Sequence, residues 1–234
     1  MFICTYGAQV GESIAVLSHF CNASNATIIM MKQVLAFPAL SVFTLGYLGF
    51  GAFAFLGTGN AEFVIYVLVI AVIFSGTLLL HAVVKFPIWM LWLLSVWGLM
   101  HILGGAVQIG DHVLFAHRIY PFVDLGGEFY ILKYDQVVHG YLYGLVTLMA
   151  HHAVAQYYRL LHRGWMLAMI AILVSVGISG LNEIMEFFIS ISVENGVGGY
   201  ENTMLDMCFN LGGAIIAMSM YTFGANVRDC PDGF

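Results

Sequence analysis

The 234-residue chain is 61% hydrophobic and only 9% charged, with a mean hydropathy of +0.92, far from the roughly 25% charged content of soluble domains. This composition excludes a soluble enzyme and places the chain in a membrane, and seven Lys plus Arg against thirteen Asp plus Glu exclude the basic patch that nucleic acid requires. The four cysteines, Cys4, Cys21, Cys208 and Cys230, form no CxxC pair and no spacing suited to structural zinc.

Residues 1–32 carry no assignment, since they lack the charged start and continuous apolar stretch of a cleaved signal peptide. From Lys32 onward, apolar runs alternate with short polar or Gly/Pro punctuation. This pattern predicts six transmembrane helices at about 33–57, 62–84, 88–110, 134–158, 165–192 and 204–225. The expected fold is therefore all-α: a polytopic membrane protein with one six-helix domain over residues 33–226 and a short cytoplasmic tail at 227–234. Two connections are long, 111–133 and 193–203.

Six spans put Lys32, Lys85, Arg159, Arg163 and Arg228 on one side and only Arg118 and Lys133 on the other. The positive-inside rule then places both termini in the cytoplasm, as in a bacterial or archaeal cytoplasmic membrane, and turns the two long acidic connections outward. Glycines recur within the spans at Gly104-Gly105, Gly140-x-x-x-Gly144, Gly177-x-x-Gly180 and Gly212-Gly213, where close helix packing is explanation enough. Trp89, Trp92, Trp97 and Trp165 lie mostly near span ends, as interfacial anchors do.

Against this background the polar residues inside the spans stand out. Span 3 runs outward with His101 below its outer end, and span 4 enters with Asp135 at the mouth and His139 one turn deeper. Span 5 carries Asn182, Glu183 and Glu186 in its outer half; Asn202 precedes span 6, whose first turns hold Asp206 and Asn210. Four helices thus present polar groups at one depth, and Asp135/His139, Asn182/Glu186 and Asp206/Asn210 each share a helix face at i,i+4.

Structural readings compete for most of these residues. Asp135 suits a first helical turn, Thr203-x-x-Asp206 resembles a capping box, Asn210 can bond across helices, and His101 can be a satisfied core histidine. Glu183 and Glu186 have no such explanation, because no basic residue occurs in spans 3, 5 or 6. Carboxyl groups at that depth must be protonated, bind a cation, or face a wet cavity.

The candidate ligand set is His101, Asp135, His139, Glu183, Glu186 and Asp206, with Asn182, Asn202 and Asn210 supporting it. Two imidazoles with three or four carboxylates suit zinc, manganese or iron. Such an ion would activate water or polarise a phosphoryl oxygen of a lipid-linked or phosphate-bearing envelope substrate. Without metal, Glu183, Glu186 and His139 have the functional groups for acid and base work, or for moving protons or cations. Two readings of other classes remain open. One is a non-catalytic accessory subunit whose polar network fixes helix register among other membrane subunits. The second is a bis-histidine haem b protein, pairing His101 with His139 and His81 with His151 or His152.

Tyr134-Asp135-Gln136-Val137-Val138-His139, Asn182-Glu183-x-x-Glu186-Phe187 and Asn202-Thr203-x-x-Asp206-x-x-x-Asn210-x-x-Gly213 resemble the YjdF-like inner-membrane family. More distantly they resemble VanZ-like proteins, with an Asp-x-x-x-His helix, a Glu-bearing helix and an Asp-x-x-x-Asn-x-x-Gly helix. The resemblance covers about residues 99–220. It implies a polytopic helical membrane protein with a cell-envelope association, and it supplies no reaction.

Overall fold

In the computed structural model, residues 23–58, 61–158, 164–192 and 199–228 are described. The chain ends assigned from sequence as an N-terminal segment and a cytoplasmic tail fall mostly outside them, at 1–22 and 229–234. Seven helices follow in order among the described residues: α1 (Ala23–Ala36), α2 (Pro38–Thr58), α3 (Ala61–Val84), α4 (Ile88–Ala106), α5 (Tyr134–Tyr158), α6 (Trp165–Ser192) and α7 (Tyr200–Arg228).

Prolines set two of the boundaries. The expected first span at 33–57 divides before Pro38, which has no N–H to donate and so begins α2 while α1 ends at Ala36. The Ser41 hydroxyl donates to the Val34 carbonyl at 2.9 Å and holds the two pieces together. Pro87 likewise precedes α4, after Lys85 has turned the chain with a φ of 53°.

Among the described residues five helices are long and apolar enough to cross a membrane, through Pro38–Phe55, Val64–Val84, Ile88–Ala106, Trp165–Ile191 and Tyr200–Gly224. Of the six expected spans, α5 is not among these five. At 25 residues α5 is about 37 Å long, enough to span, but it carries Asp135, Gln136, His139, His151 and His152. The physical reason is position: α5 packs against α4, α6 and α7, and Gln136, His139 and His151 are buried by these neighbours and need no compatibility with lipid.

The stretch 111–133 also departs from an all-α fold. Gln108–Ile109 pairs antiparallel with His112–Val113 (β1 and β2), and Arg118–Gly126 with Phe129–Lys133 (β3 and β4). Gly126 and Gly127, with φ of 87° and 59°, make the second turn in the left-handed region that hairpin turns require. The Gln136 carboxamide, wholly buried, accepts the Leu132 and Lys133 N–H groups at 3.0 and 2.9 Å and donates to the Tyr130 carbonyl at 2.9 Å. It locks β4 onto the start of α5.

Two kinds of packing meet at α5. Toward α2, α3 and α4 lies a hydrophobic core that includes Tyr47, Ile70, Phe74, Leu94 and Trp97, with Leu142, Leu145 and Met149 of α5 packed into it. Toward α7 the helices touch through glycine. A Cβ on Gly144 would lie 3.0 Å from the Gly213 carbonyl oxygen, and one on Gly213 would overlap the Gly140 carbonyl. Without side chains at these positions the backbones approach as small-residue motifs allow in lipid. Gly177, Gly180 and Gly212 have no neighbour within 4 Å of an added Cβ, so the packing explanation does not extend to them.

Candidate functional site

The α5–α7 contact sets the position of everything polar around it. Gly140 rests against the Phe209 carbonyl, which brings the residue before it, His139, beside the residue after Phe209, Asn210. The His139 Nδ1 lies 3.2 Å from Asn210 Oδ1. The Asn210 amide group donates to Ser179 Oγ at 3.0 Å and approaches Glu183 Oε1 at 3.5 Å. With that amide orientation, Oδ1 accepts and His139 Nδ1 carries the proton. The other ring nitrogen, Nε2, then faces Asp135 Oδ1 at 3.7 Å and Glu186 Oε1 at 3.9 Å.

Around His139 the acids come from three helices. Glu183 Oε1 is 3.6 Å from His139 Nδ1, and Glu186 Oε1 also accepts from the Asn182 amide at 2.7 Å. Asp206 Oδ2 accepts from the Asn202 amide at 2.7 Å, and Asn202 Oδ1 in turn accepts from Lys133 Nζ at 2.8 Å. His139, Glu183, Asp206 and Asn210 are 8%, 7%, 1% and 1% exposed, so water does not solvate them freely. Glu183 Oε2 and Asp206 Oδ1 are buried with no hydrogen-bond partner.

Asp135, His139, Glu183, Glu186 and Asp206 therefore converge, and they form two overlapping sets. Ligand atoms of Asp135, His139 and Asp206 lie within 4.8 Å of one another, as do those of His139, Glu183 and Glu186. His101 belongs to neither set: its ring packs against Tyr66, Trp97 and Phe115 at centroid distances of 5.1, 5.4 and 5.0 Å. Asp206 is not part of a capping box, because α7 begins at Tyr200 and Thr203 is already helical. Its partner is Asn202, one turn earlier.

The inner histidines meet aromatic rings and backbone. The His152 Nε2 sits 3.1 and 3.2 Å from the Val84 and Lys85 carbonyls, where it caps the end of α3. Phe86 contacts both His152 and His81, at 5.7 and 6.3 Å.

Ser179 and Lys133 were not among the residues read from sequence. Ser175, Ser179, Glu183 and Glu186 follow one another at helical spacing, so the polar stripe on α6 extended two turns further than its carboxylates. Ser175 donates to the Tyr143 carbonyl at 2.8 Å at the lower end of that stripe. Lys133 lies outside the helices, and its reach to Asn202 depends on the hairpin.

Hydrophobic helices around a buried acid–histidine cluster define an integral membrane protein with several membrane-crossing helices. The family described as "Predicted membrane protein (DUF2238)" matches residues 38–226, and the chain belongs to it. No curated protein and no solved structure matches the chain.

Proposed function

We propose that the cluster binds a divalent cation, zinc, manganese or iron, through His139 with Glu183, Glu186, Asp135 and Asp206. The observation that carries this reading is the spacing. His139 Nε2 lies 3.7 and 3.9 Å from the Asp135 and Glu186 carboxylates, too far for hydrogen bonds and a few tenths of an ångström beyond the roughly 3.3–3.6 Å that separates tetrahedral ligands about 2.0–2.2 Å from zinc, while Glu183 stands 3.6 Å from Nδ1. The two orphaned carboxylate oxygens of Glu183 and Asp206 are further donors that a cation would satisfy. Asn210 orients the imidazole from behind, in the way that outer partners orient metal-bound histidines.

A bound ion there supplies Lewis acidity toward a phosphoryl or carbonyl oxygen. With α5 read as a sixth span and both termini cytoplasmic, the cluster lies in the outer half of the bilayer. The substrate class is then a lipid-linked or phosphate-bearing molecule of the cell envelope. The envelope association rests on the resemblance of the ordered motifs to YjdF-like and VanZ-like proteins; the family matched over residues 38–226 supports the membrane setting. His101, enclosed by three aromatic rings, is left as a packing residue. The bis-histidine haem reading gains no support from the engaged rings of His139 and His152.

Metal analysis of the purified protein with titration of zinc, manganese and ferrous iron tests the reading. Stoichiometric binding that disappears in Glu183→Ala is expected. Protein that takes up none of the three ions sinks it and leaves the accessory-subunit reading. A Soret band in the absorbance spectrum favours haem.

A further inference from the structure

On the opposite flank of the α5–α7 contact from the acid–histidine cluster runs an apolar furrow of about 870 Å³. Its walls come from α4, α5 and α7, with none from α6, whereas the cluster draws on α5, α6 and α7. The same glycines shape both sides. Gly140 and Gly144 thin one wall, and Gly212 and Gly213 the other.

Gly212 is informative because it lines the furrow and an added Cβ there would meet nothing within 4 Å. Tight helix packing therefore does not explain the missing side chain at this position, although it explains Gly213 next to it. The empty space belongs to the furrow.

The furrow follows α7 from Cys208 to Tyr221, which by helix rise is about 20 Å. One leaflet's share of a hydrocarbon core about 30 Å thick is roughly 15 Å, so the furrow has the length of a single extended lipid chain. It is also continuous with the lipid-facing surface of the bundle, since Ile216 and Met220 on its rim are 61% and 71% exposed. At its outer end stands Gln136, adjacent in sequence to Asp135 of the cluster.

We infer that this furrow is a binding site for one hydrocarbon chain of a membrane lipid, seated lengthwise between α4 and α7 over the glycine contact. That a seated lipid is also the substrate, its headgroup reaching over Gln136 to the cluster, rests on the function proposed above. Occupancy of the furrow does not.

The test uses the full chain in bilayers containing phosphatidylglycerol with a photoactivatable diazirine on one acyl chain, with labelled residues mapped by mass spectrometry. Labelling at Leu148, Ile216 and Met220 is expected about tenfold above that at Phe53 and Val72, exposed apolar residues on α2 and α3. The Gly212→Phe variant, which fills the space, is expected to bring the furrow down to the level of Phe53. Ile216→Trp at the rim serves as a second variant, expected to lower the labelling of Leu148. Added polyprenyl phosphate that suppresses labelling identifies an isoprenoid chain as occupant; no suppression identifies a glycerolipid chain.

Equal labelling at all five positions would overturn the inference, and so would furrow labelling that neither variant changes. A disulfide-linked dimer through Cys208 that shields the furrow would overturn it too, by showing a second copy there. Metal titration of the same samples is independent, so loss of labelling with metal binding intact fails the furrow alone, and the reverse fails the cluster alone.

Discussion

The space between α2, α3 and α4 is filled differently from the space between α5, α6 and α7. In the first region aromatic and aliphatic side chains close the gap, and one buried hydrogen bond, Thr44 to Ser95 at 2.6 Å, crosses it. In the second, the backbones of α5 and α7 touch and the buried side chains are His139, Glu183, Asp206 and Asn210. Lipid tails are as apolar as leucine, so the first kind of packing gains mainly dispersion and shape, with little drive from water. Both regions leave buried polar atoms without a hydrogen bond, Tyr47 Oη, His81 Nδ1 and Trp97 Nε1 in the first and Glu183 Oε2 and Asp206 Oδ1 in the second, but only in the second do they belong to carboxyl groups, whose burial costs most. The contrast sets a region that holds the bundle together beside the one that carries the proposed site.

Each of four changes would break or sharpen that contrast. The largest effect is expected from Gly213→Leu, whose side chain must displace the Gly140 carbonyl: thermal unfolding in detergent should show a loss of about 3 kcal/mol or failure to fold. Gly212→Leu, one residue away, should be close to neutral in the same assay. If both are tolerated alike, the backbone contact is not what builds the site.

Next comes Glu183→Gln. It should abolish tight metal binding and leave stability unchanged or raised by about 1 kcal/mol, because it removes an uncompensated buried carboxylate without changing its shape. A large destabilisation would instead make Glu183 a structural residue.

Asn210→Ala removes the group that orients His139 while keeping all proposed ligands. A weakening of about 10- to 100-fold in metal affinity is expected by calorimetry. Unchanged affinity would mean that the imidazole is held by the ion alone.

The smallest effect belongs to the dry region. A double-mutant cycle with Thr44→Val and Ser95→Ala should give a coupling of about 0.6 kcal/mol and no change in metal binding. A coupling several times larger would show that polar bonds, too, hold the first region.

The cluster was legible in the chain because an ionisable residue in an apolar helix is conspicuous, and orientation alone placed Asp135, His139, Glu183, Glu186 and Asp206 at one depth. His101 obeyed the same depth rule, yet its ring points among Tyr66, Trp97 and Phe115, since depth fixes height along the membrane normal and says nothing about rotation around the helix. The apolar stretches of α5 suggested a sixth span, and the buried histidines are why its composition is less apolar than that of the other five. The second hairpin also left a signal in the chain, in the β-branched and aromatic residues Ile119, Tyr120, Phe122, Val123, Phe129, Tyr130 and Ile131 either side of Gly126-Gly127, but they lay in a stretch read as a connection. Ser179 was missed because a hydroxyl in a membrane helix bonds its own backbone so readily that it carries little information.

One small contact bears on how the protein comes to be made. The Glu128 carboxylate in the β3–β4 turn accepts the Gly199 N–H at 2.8 Å, 71 residues further along the chain, at the start of α7. Synthesis runs from the N-terminus, so the hairpin and α5 are complete before α7 exists. Through that interval His139, Glu183 and Glu186 lack Asn210 and Asp206, and the acceptor on Glu128 is already in place to catch the last helix. A chain lacking everything from Gly199 onward would therefore leave those acids without Asn210 and Asp206, and the final span would act as the stopper.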